Sequence, residues 1–195
     1  ARMIQRVGGS PKLCNSPEAI IPGSKIILPG VGHYDHGVAS LLNHGFDYSF
    51  WKEISNQGNY ILGICLGMQL LCRSSEEGGA PGLGLVAAEV KKFRFSSEQN
   101  LKVPHMGWNN VSVAKSTQMF SGIENERFYF VHSYAARKWE LDPHEMLAAP
   151  KVSWANHGED FVAAVENGPL WATQFHPEKS GEAGLTLLAN WIAAI

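Results

Sequence analysis

Residues 60–71, which read Y-I-L-G-I-C-L-G-M-Q-L-L, constrain the fold of this chain more than any other segment. An apolar run ends in Gly63, and an apolar helical pattern begins after Gly67. Glycine two positions before and two positions after a cysteine is the layout of a nucleophile elbow, a tight turn from a strand into a helix. The segment therefore predicts a buried strand, a sharp turn at Cys65 and a helix in direct succession.

Cys65 is the candidate nucleophile of this turn. It would lie at the start of a helix, where the backbone dipole favours the negatively charged, reactive thiolate. The alternative is a small buried packing residue, because free cysteine is among the most buried residue types. Cys14, in a predicted short strand, and Cys72, on the predicted helix after the turn, are both interpreted as packing residues.

The two halves of the chain predict different secondary structure. In the first half, apolar strands alternate with helical patterns, which is typical of a parallel sheet covered on both faces. In the second half, short strands follow one another, which favours antiparallel pairing. We predict strands at residues 12–14, 25–28, 60–64, 86–95, 110–113, 128–131, 161–165 and 170–174, and helices at 34–55 and 180–195. The predicted fold class is α/β, with a mixed, mostly parallel central sheet flanked by helices and an antiparallel extension in the second half.

Size and charge exclude several classes of protein. A chain of 195 residues has the size of one domain. Its net charge of −2 provides no basic surface for nucleic acid, and no apolar run approaches the roughly 20 residues that span a membrane. Three cysteines without a Cys-rich spacing favour a reducing compartment. Because the sequence shows no signal peptide, we predict a cytoplasmic location.

The segment T-Q-F-H-P-E at residues 173–178 supplies a candidate base. A thiolate nucleophile needs a base, and the base needs a group that orients it. His176 follows a predicted strand, and Pro177 restricts the backbone before Glu178, so the carboxylate could hold the imidazole in one tautomer. Considered alone, the segment also fits an exposed turn. Together with Cys65 it predicts a catalytic histidine and its orienting carboxylate.

Acyl transfer also needs donors for the developing oxyanion. The amide of Leu66, directly after the nucleophile, is one expected donor. The loop P-G-V-G at residues 29–32 ends a strand that could neighbour the elbow strand, and its glycines leave backbone N–H groups accessible. We predict that this loop is the second donor, although by itself it is also an ordinary tight loop.

Taken together, these motifs resemble a class I glutamine amidotransferase. They are P-G-V-G at 29–32, G-I-C-L-G-M-Q at 63–69, H-S-Y at 132–134 and Q-F-H-P-E-K-S at 174–180. Two further segments, P-H-M-G-W-N at 104–109 and F-Y-F-V-H-S-Y at 128–134, are similar to the glutaminase subunit of imidazole glycerol phosphate synthase, an enzyme of histidine biosynthesis. The resemblance covers nearly the whole chain.

The resemblance implies a role for each motif. Cys65 attacks the side-chain amide of glutamine, His176 acts as acid and base, and Glu178 orients His176. A γ-glutamyl thioester forms, ammonia leaves, and water releases glutamate. The resemblance implies no cofactor and no metal. It assigns oxyanion contacts to Gly30, Val31 and Leu66, and substrate binding to Gln69, His132, Ser133 and Tyr134.

The resemblance also implies a partner, the (β/α)8-barrel cyclase subunit of imidazole glycerol phosphate synthase. Ammonia released into water near neutral pH would be mostly protonated and no longer nucleophilic, so the site should open onto a dry conduit. Exposed Trp and Met are enriched at protein interfaces. The residues expected at the subunit contact are Pro104, Met106, Trp108, Tyr129 and Lys179. For Trp108, a place in the core is the alternative.

The sequence departs from the family at its N-terminus. Family members begin with a strand and an Asp-Tyr-Gly-x-Gly-Asn loop, whereas this sequence begins with what resembles the last turns of a helix. We therefore expect residues 1–195 to form a single amidotransferase domain that lacks its N-terminal strand and first loop. Alternative functions are a paralogous glutaminase that serves another synthase, a free-standing γ-glutamyl hydrolase, and a scaffold subunit without turnover.

Overall fold

The computed structural model describes residues 1–139 and 149–194. Within these residues the strands are β1 (Lys25–Leu28), β2 (Tyr60–Ile64), β3 (Cys72–Ser75), β4 (Val86–Lys92), β5 (His105–Asn110), β6 (Arg127–His132), β7 (Tyr134–Ala136), β8 (Lys151–Asn156), β9 (Asp160–Asn167) and β10 (Leu170–Thr173). The α-helices are α1 (Arg2–Arg6), α2 (Tyr34–Asn43), α3 (Tyr48–Asn56), α4 (Leu66–Leu71) and α5 (Gly181–Ala193).

The central sheet brings three strand ends to one edge. Its strand order is β1-β2-β10-β9-β8. β1 and β10 both pair in parallel with β2, while β9 and β8 extend the sheet by antiparallel pairing. The mixed α/β fold class is confirmed. Because the carboxyl ends of parallel strands meet at one edge, the segments that follow β1, β2 and β10 converge there.

A two-stranded sheet, β5 with β6, lies beside this edge. The two strands are antiparallel, with His105 opposite His132. Two hydrogen bonds tie β6 to the segment after β10: the amide of His176 donates to the Tyr129 carbonyl at 2.9 Å, and the amide of Tyr129 donates to Ser180 Oγ at 3.0 Å. A third sheet has the order β3-β4-β7.

Hydrophobic side chains form two cores, one on each face of the central sheet. Successive residues of a strand point to opposite faces, and along β2 Ile61 packs in one core while Leu62 and Ile64 pack in the other. Helices α2, α3 and α4 contribute to the first core, and α5 contributes Leu187 and Trp191 to the second. Both cores hold β2 rigidly, which fixes the turn at its end.

Several local predictions were wrong. Residues 12–14 form no strand, and Leu13 is 87% exposed instead of buried in a sheet. Residues 110–113 contribute only the last residue of β5 and an isolated bridge at Ser112, and the predicted helix at 34–55 is interrupted between α2 and α3. Cys72 begins β3 instead of continuing the helix.

Other elements agree with the sequence or were not predicted. The predicted strands at 25–28, 60–64, 86–95, 128–131, 161–165 and 170–174 correspond to β1, β2, β4, β6, β9 and β10. The C-terminal helix is confirmed as α5, and Ile195, its predicted last residue, lies outside the described residues. Strands β3, β5, β7 and β8 were not predicted.

Candidate active site

The turn after β2 has the backbone of a nucleophile elbow. Cys65 has φ 52° and ψ −106°, a left-handed conformation that L-residues rarely adopt and that clusters at functional sites. Its amide donates to the Thr173 carbonyl of β10 at 2.7 Å. The flanking residues must be glycine, because a side chain would collide with neighbouring atoms. A Cβ on Gly67 would lie 1.8 Å from the Leu28 carbonyl oxygen, and a Cβ on Gly63 would lie 2.9 Å from the amide nitrogen of Met68 in α4. The sequence predicted this turn correctly.

His176 and Glu178, the predicted base and its predicted orienter, contact each other in the structure. His176 follows β10, and Pro177 begins a short 3-10 helix that carries Glu178 back toward the ring. Nδ1 of His176 lies 2.6 Å from Oε1 of Glu178. Because a carboxylate only accepts, Nδ1 carries the proton and Nε2 is left to face the nucleophile. Among the described residues, this buried Nε2 has no hydrogen bond of normal geometry.

Cys65 and Glu178 determine the charge on His176. Burial alone would lower the pKa of His176, but hydrogen bonding and charge interactions with Cys65 and Glu178 outweigh burial and raise that pKa to about 9. The ordinary pKa of histidine is 6.5. The contacts of the protonated ring therefore stabilise the fold fully below pH 6.5, and this stabilisation is lost as the pH rises through about 9. Burial opposes the ionisation of Glu178, but the hydrogen bond from His176 lowers the pKa of this carboxyl. The pair therefore favours an imidazolium beside a carboxylate.

The loop after β1 packs directly against the elbow. A Cβ on Gly30 would lie 2.8 Å from the Leu66 Cβ and 3.1 Å from the Gly67 amide nitrogen, so only glycine permits this approach. Val31 follows with its side chain 77% exposed, and Gly32 has φ +101°. Leu66 is the first residue of α4, where a backbone N–H has no partner within the helix. The predicted oxyanion residues are thus brought together with Cys65.

A cavity of about 310 Å³ lies in front of the nucleophile. Its lining residues are Val31, Gly32, Cys65, Leu66, Gln69, Glu77, Val131, His132, Ser133, Tyr134, His176 and Lys179. The lining therefore includes Cys65, His176 and residues of the predicted motifs at 29–32, 63–69, 132–134 and 174–180, whereas no residue of the motif at 104–109 lines it. A larger groove of about 680 Å³ runs beside β1 on another part of the molecule, and its lining does not include Cys65, His176 or Glu178.

Comparison with known proteins agrees with this geometry. The profile of the family described as "Glutamine amidotransferase class-I" matches residues 12–195. The chain belongs to the class I glutamine amidotransferase family. The family agrees with the resemblance that the motifs indicate and supports glutamine amidotransferase activity.

Two amidotransferase relatives are similar over almost their whole length. The imidazole glycerol phosphate synthase subunit HisH of Corynebacterium diphtheriae is 43% identical over 195 residues, covering 98% of this chain and 90% of the relative. The protein of the same name from Nocardia farcinica is 42% identical, covering 100% of this chain and 90% of the relative. A crystal structure described as a glutamine amidotransferase has a TM-score of 0.67 at 19% identity, over 96% of this chain and 90% of that one. At that identity it confirms the fold alone.

The predicted substrate-binding residues of the amidotransferase site differ in what they present to the cavity. Gln69 is buried on α4 and uses its side-chain N–H groups on the Tyr134 carbonyl and on Gln174 Oε1, both at 3.0 Å. Its side-chain oxygen is therefore the atom that remains available to a ligand. His132 lines the cavity, but its ring nitrogens lie 3.0 Å from His105 Nδ1 and 2.8 Å from the Tyr134 carbonyl. The His132 ring is thus engaged by the protein.

Sequence reasoning missed two residues of this site. Gln174 is fully buried and places its side-chain nitrogen 3.7 Å from Cys65 Sγ. Glu77 lines the cavity and accepts a hydrogen bond from the amide of Tyr34. Gln174 was in the quoted motif at 174–180, so its position two residues before His176 was the available signal. No sequence signal pointed to Glu77, since it reaches the site through β3 and the turn after it.

The predicted partner residues form one surface beside the amidotransferase cavity. Met106 and Trp108 project from β5 with 63% and 47% exposure. The Trp108 and Tyr129 rings are 6.1 Å apart, and Lys179 Nζ lies 5.8 Å from the Tyr129 ring centre. Pro104, which is exposed, precedes β5. Trp108 is therefore not a core residue, while the role of this surface as an interface stays a prediction.

The residues that the structure describes include no metal-binding cluster and no membrane-spanning helix. No group of three or more His, Cys, Asp or Glu side chains there is arranged to hold a metal ion. None of the helices in that part of the chain combines the length and the apolar character needed to cross a membrane.

Proposed function

We propose that this amidotransferase is a glutaminase subunit that hydrolyses L-glutamine to glutamate and ammonia and delivers the ammonia to the cyclase subunit of imidazole glycerol phosphate synthase. The observation that carries the proposal is the cavity in which Cys65, His176 and the loop at residues 29–32 meet. The similarity to subunits named HisH supports the pathway.

The geometry supports a two-step reaction. The Cys65 thiolate attacks the side-chain carbonyl carbon of glutamine, and the amides of Val31 and Leu66 stabilise the oxyanion. The His176 imidazolium gives its proton to the departing ammonia, which leaves the thioester and a neutral imidazole. That imidazole then takes a proton from water as the water attacks the thioester. Glutamate leaves, and the thiolate and imidazolium are restored.

The charges of the cavity suit the amino-acid end of glutamine. Its α-ammonium group needs acceptors, and the Gln69 side-chain oxygen and the Glu77 carboxylate are the candidates that line the cavity. Its α-carboxylate needs donors, which the backbone of Ser133 and Tyr134 can supply. With both ends held, the side-chain amide of the substrate extends toward Cys65.

The surface formed by β5 and β6 is the proposed contact with the cyclase barrel. It carries exposed apolar and cationic groups immediately beside the cavity. Sealing this face by a partner would exclude water from the exit, so that ammonia leaves unprotonated. Contact at this surface would therefore pass the ammonia from glutamine hydrolysis to the cyclase reaction.

Glutaminase turnover should depend on the cyclase. We expect the chain alone to hydrolyse glutamine slowly, and saturating cyclase with its phosphoribosyl ligand to raise the rate at least about tenfold, within the usual range of allosteric coupling. Glutamate release from the purified chain, with and without the cyclase, measures this. Equal rates would indicate a free-standing γ-glutamyl hydrolase instead. Stimulation only by another synthase would indicate a paralogous glutaminase.

Trp108→Ala should weaken association much more than it lowers stability. An interface tryptophan is often worth at least about 2 kcal/mol of binding, whereas truncation of a half-exposed side chain changes stability by roughly 0.5 kcal/mol. Titration calorimetry with the cyclase measures the binding free energy, and a thermal melt of the free chain measures the stability. Leu42→Ala is the matched control, because Leu42 is 51% exposed on α2, outside β5. If Trp108→Ala lowered the melting temperature and spared binding, the interface assignment would be wrong.

A further inference from the structure

A chain of buried hydrogen bonds crosses from β5 to the start of β7. Asn109 Nδ2 lies 3.2 Å from His105 Nε2, His105 Nδ1 lies 3.0 Å from His132 Nε2, and His132 Nδ1 lies 2.8 Å from the Tyr134 carbonyl oxygen. His105 and His132 are 5% and 6% exposed. Their positions opposite each other in the β5–β6 pair make this a contact between the two strands.

The atoms at the two ends fix the direction of every bond. The Tyr134 carbonyl can only accept, so His132 Nδ1 donates and, in a neutral ring, His132 Nε2 accepts. His105 Nδ1 must then donate and His105 Nε2 accept, which matches the side-chain N–H of Asn109. The chain therefore runs one way, from Asn109 through His105 and His132 to Tyr134.

The surroundings keep both imidazole rings neutral, as this direction requires. Burial, with a smaller contribution from His157, lowers the pKa of His105 to about 4. Burial also lowers the pKa of His132 to about 3, with His105, His157 and Arg137 adding to the effect and the bond to Tyr134 opposing it. Both rings thus hold a single proton throughout the physiological range.

The chain continues into the active site at the Tyr134 carbonyl. This oxygen also accepts from Gln69 Nε2 at 3.0 Å. Gln69 Nε2 in turn donates to Gln174 Oε1 at 3.0 Å, and Gln174 Nε2 lies 3.7 Å from Cys65 Sγ. The Tyr134 carbonyl therefore accepts from both His132 and Gln69, and Gln69 in turn holds Gln174, the carboxamide beside the nucleophile.

The other end of the chain lies on the exposed side of the molecule. Asn109 follows Trp108 on β5, and its side chain also donates to the Asn156 carbonyl at 2.9 Å. A displacement of β5 would move His105, which lies on the same strand, relative to His132 on β6. Because the bonds are directional, such a displacement changes how firmly the Tyr134 carbonyl is held.

We propose that Asn109, His105 and His132 are positioning residues that link the placement of β5 to the orientation of Gln69, and so to the binding of glutamine. The inference rests on the proposed function, since it takes β5 as the strand that meets the partner. It gives His132 a role through Tyr134 instead of direct contact with substrate. A ring cluster needed only for packing would not require aligned donors, because its other members include Phe93, Phe130 and Phe161.

The test compares two histidines of the same cluster. His105→Phe keeps a ring against Phe130 but removes both hydrogen bonds of the chain. His157→Phe is the matched control: the His157 ring stacks on His105 with centres 4.3 Å apart, yet its hydrogen bond goes to the Lys102 carbonyl, outside the chain. Both proteins are assayed as the complex with the cyclase and as the free chain.

His105→Phe should raise the KM for glutamine about tenfold at nearly unchanged kcat, because it removes a contact made equally in the ground and transition states. It should also reduce, at least about threefold, the stimulation of glutamine hydrolysis by the cyclase. This effect is within the usual range of coupling free energies. His157→Phe should change neither quantity. If both variants gave the same KM, or if His105→Phe kept full stimulation, the proposal would be overturned.

A second variant and an NMR spectrum distinguish the proposal from a folding defect in His105→Phe. Asn109→Ala removes the first donor from a partly exposed position and should act in the same direction as His105→Phe, while Asn110→Ala on the same strand should not. Long-range proton–nitrogen NMR of the unmodified chain should show His105 and His132 protonated at Nδ1. Finding either ring protonated at Nε2 would contradict the chain whatever the activity. If the unmodified complex failed to hydrolyse glutamine, the proposed function would fail instead.

Discussion

Cys65→Ala should abolish glutamine-dependent synthesis by the complex and leave ammonia-dependent synthesis intact. The variant removes the only atom that can form the thioester, and loss of a nucleophile costs at least about 10³-fold in rate. In the proposed function the cyclase takes its nitrogen from ammonia, so an added ammonium salt at mildly alkaline pH should restore synthesis. Synthesis is measured with glutamine and with ammonium on the same preparation.

Cys72→Ala is the matched control for this variant. Cys72 is completely buried seven residues away, and burial raises the pKa of its thiol to about 12, so it stays protonated and unreactive. It should retain glutamine-dependent synthesis. If Cys65→Ala lost the ammonia-dependent reaction as well, hydrolysis and synthesis would not be divided between the two subunits as proposed. Retention of glutamine-dependent synthesis by Cys65→Ala would show that Cys65 is not the nucleophile.

The elbow could be predicted from sequence because its determinants are local. Gly63, Cys65 and Gly67 lie within five residues, and glycine on both sides of the nucleophile is the local pattern of such a turn. The His176–Glu178 pair was predictable for the same reason, since Pro177 holds both on one short turn. The sequence also suggested that β1 neighbours β2, but it favoured antiparallel pairing for residues 170–174, so the parallel pairing of β10 with β2, which brings His176 to Cys65, emerged only from the structure.

Strand β5 could not be predicted from its pattern. Its buried position holds the polar residue His105 and a half-buried position holds Asn109, whereas its exposed positions include the apolar residues Met106 and Trp108. This reverses the alternation that predicts a half-buried strand. The polar residues are satisfied by cross-strand partners far away in sequence, and the apolar residues face outward at the proposed interface.

The hydrogen bonds behind the nucleophile depend on tertiary contacts. Gln69 and Gln174 are 105 residues apart, and only the pairing of β10 with β2 brings them together. Glu77 enters the cavity from the turn after β3, a strand whose first residue, Cys72, was predicted to lie on the preceding helix. Contacts of this range carry no signal in local spacing, which is why Glu77 and the histidine chain emerged only from the structure.

Glu178→Gln should lower kcat/KM for glutamine by about 10²-fold and shift its pH dependence. Loss of the charged orienter of a catalytic histidine can cost about 10⁴-fold where the carboxylate is buried, but the Glu178 side chain is 40% exposed, so water can partly replace it. In the unmodified enzyme, burial opposes the imidazolium while Cys65 and Glu178 stabilise it and hold the pKa of His176 at about 9. Activity should therefore fall as the pH rises through about 9, where the proton for departing ammonia is lost.

Glutamine at position 178 keeps an acceptor for Nδ1 but removes the negative charge. The pKa of His176 should then drop by about one to two units, the usual effect of one neighbouring charge, and the alkaline limb of the kcat/KM profile should move toward neutrality by the same amount. Glu182→Gln, an exposed carboxylate in the first turn of α5, is the control that should leave the limb unchanged. A limb that stayed near pH 9 in Glu178→Gln would show that Cys65 alone determines the charge on His176. In that case the carboxylate would orient the ring without stabilising its proton, and a loss of activity equal at all pH values would follow.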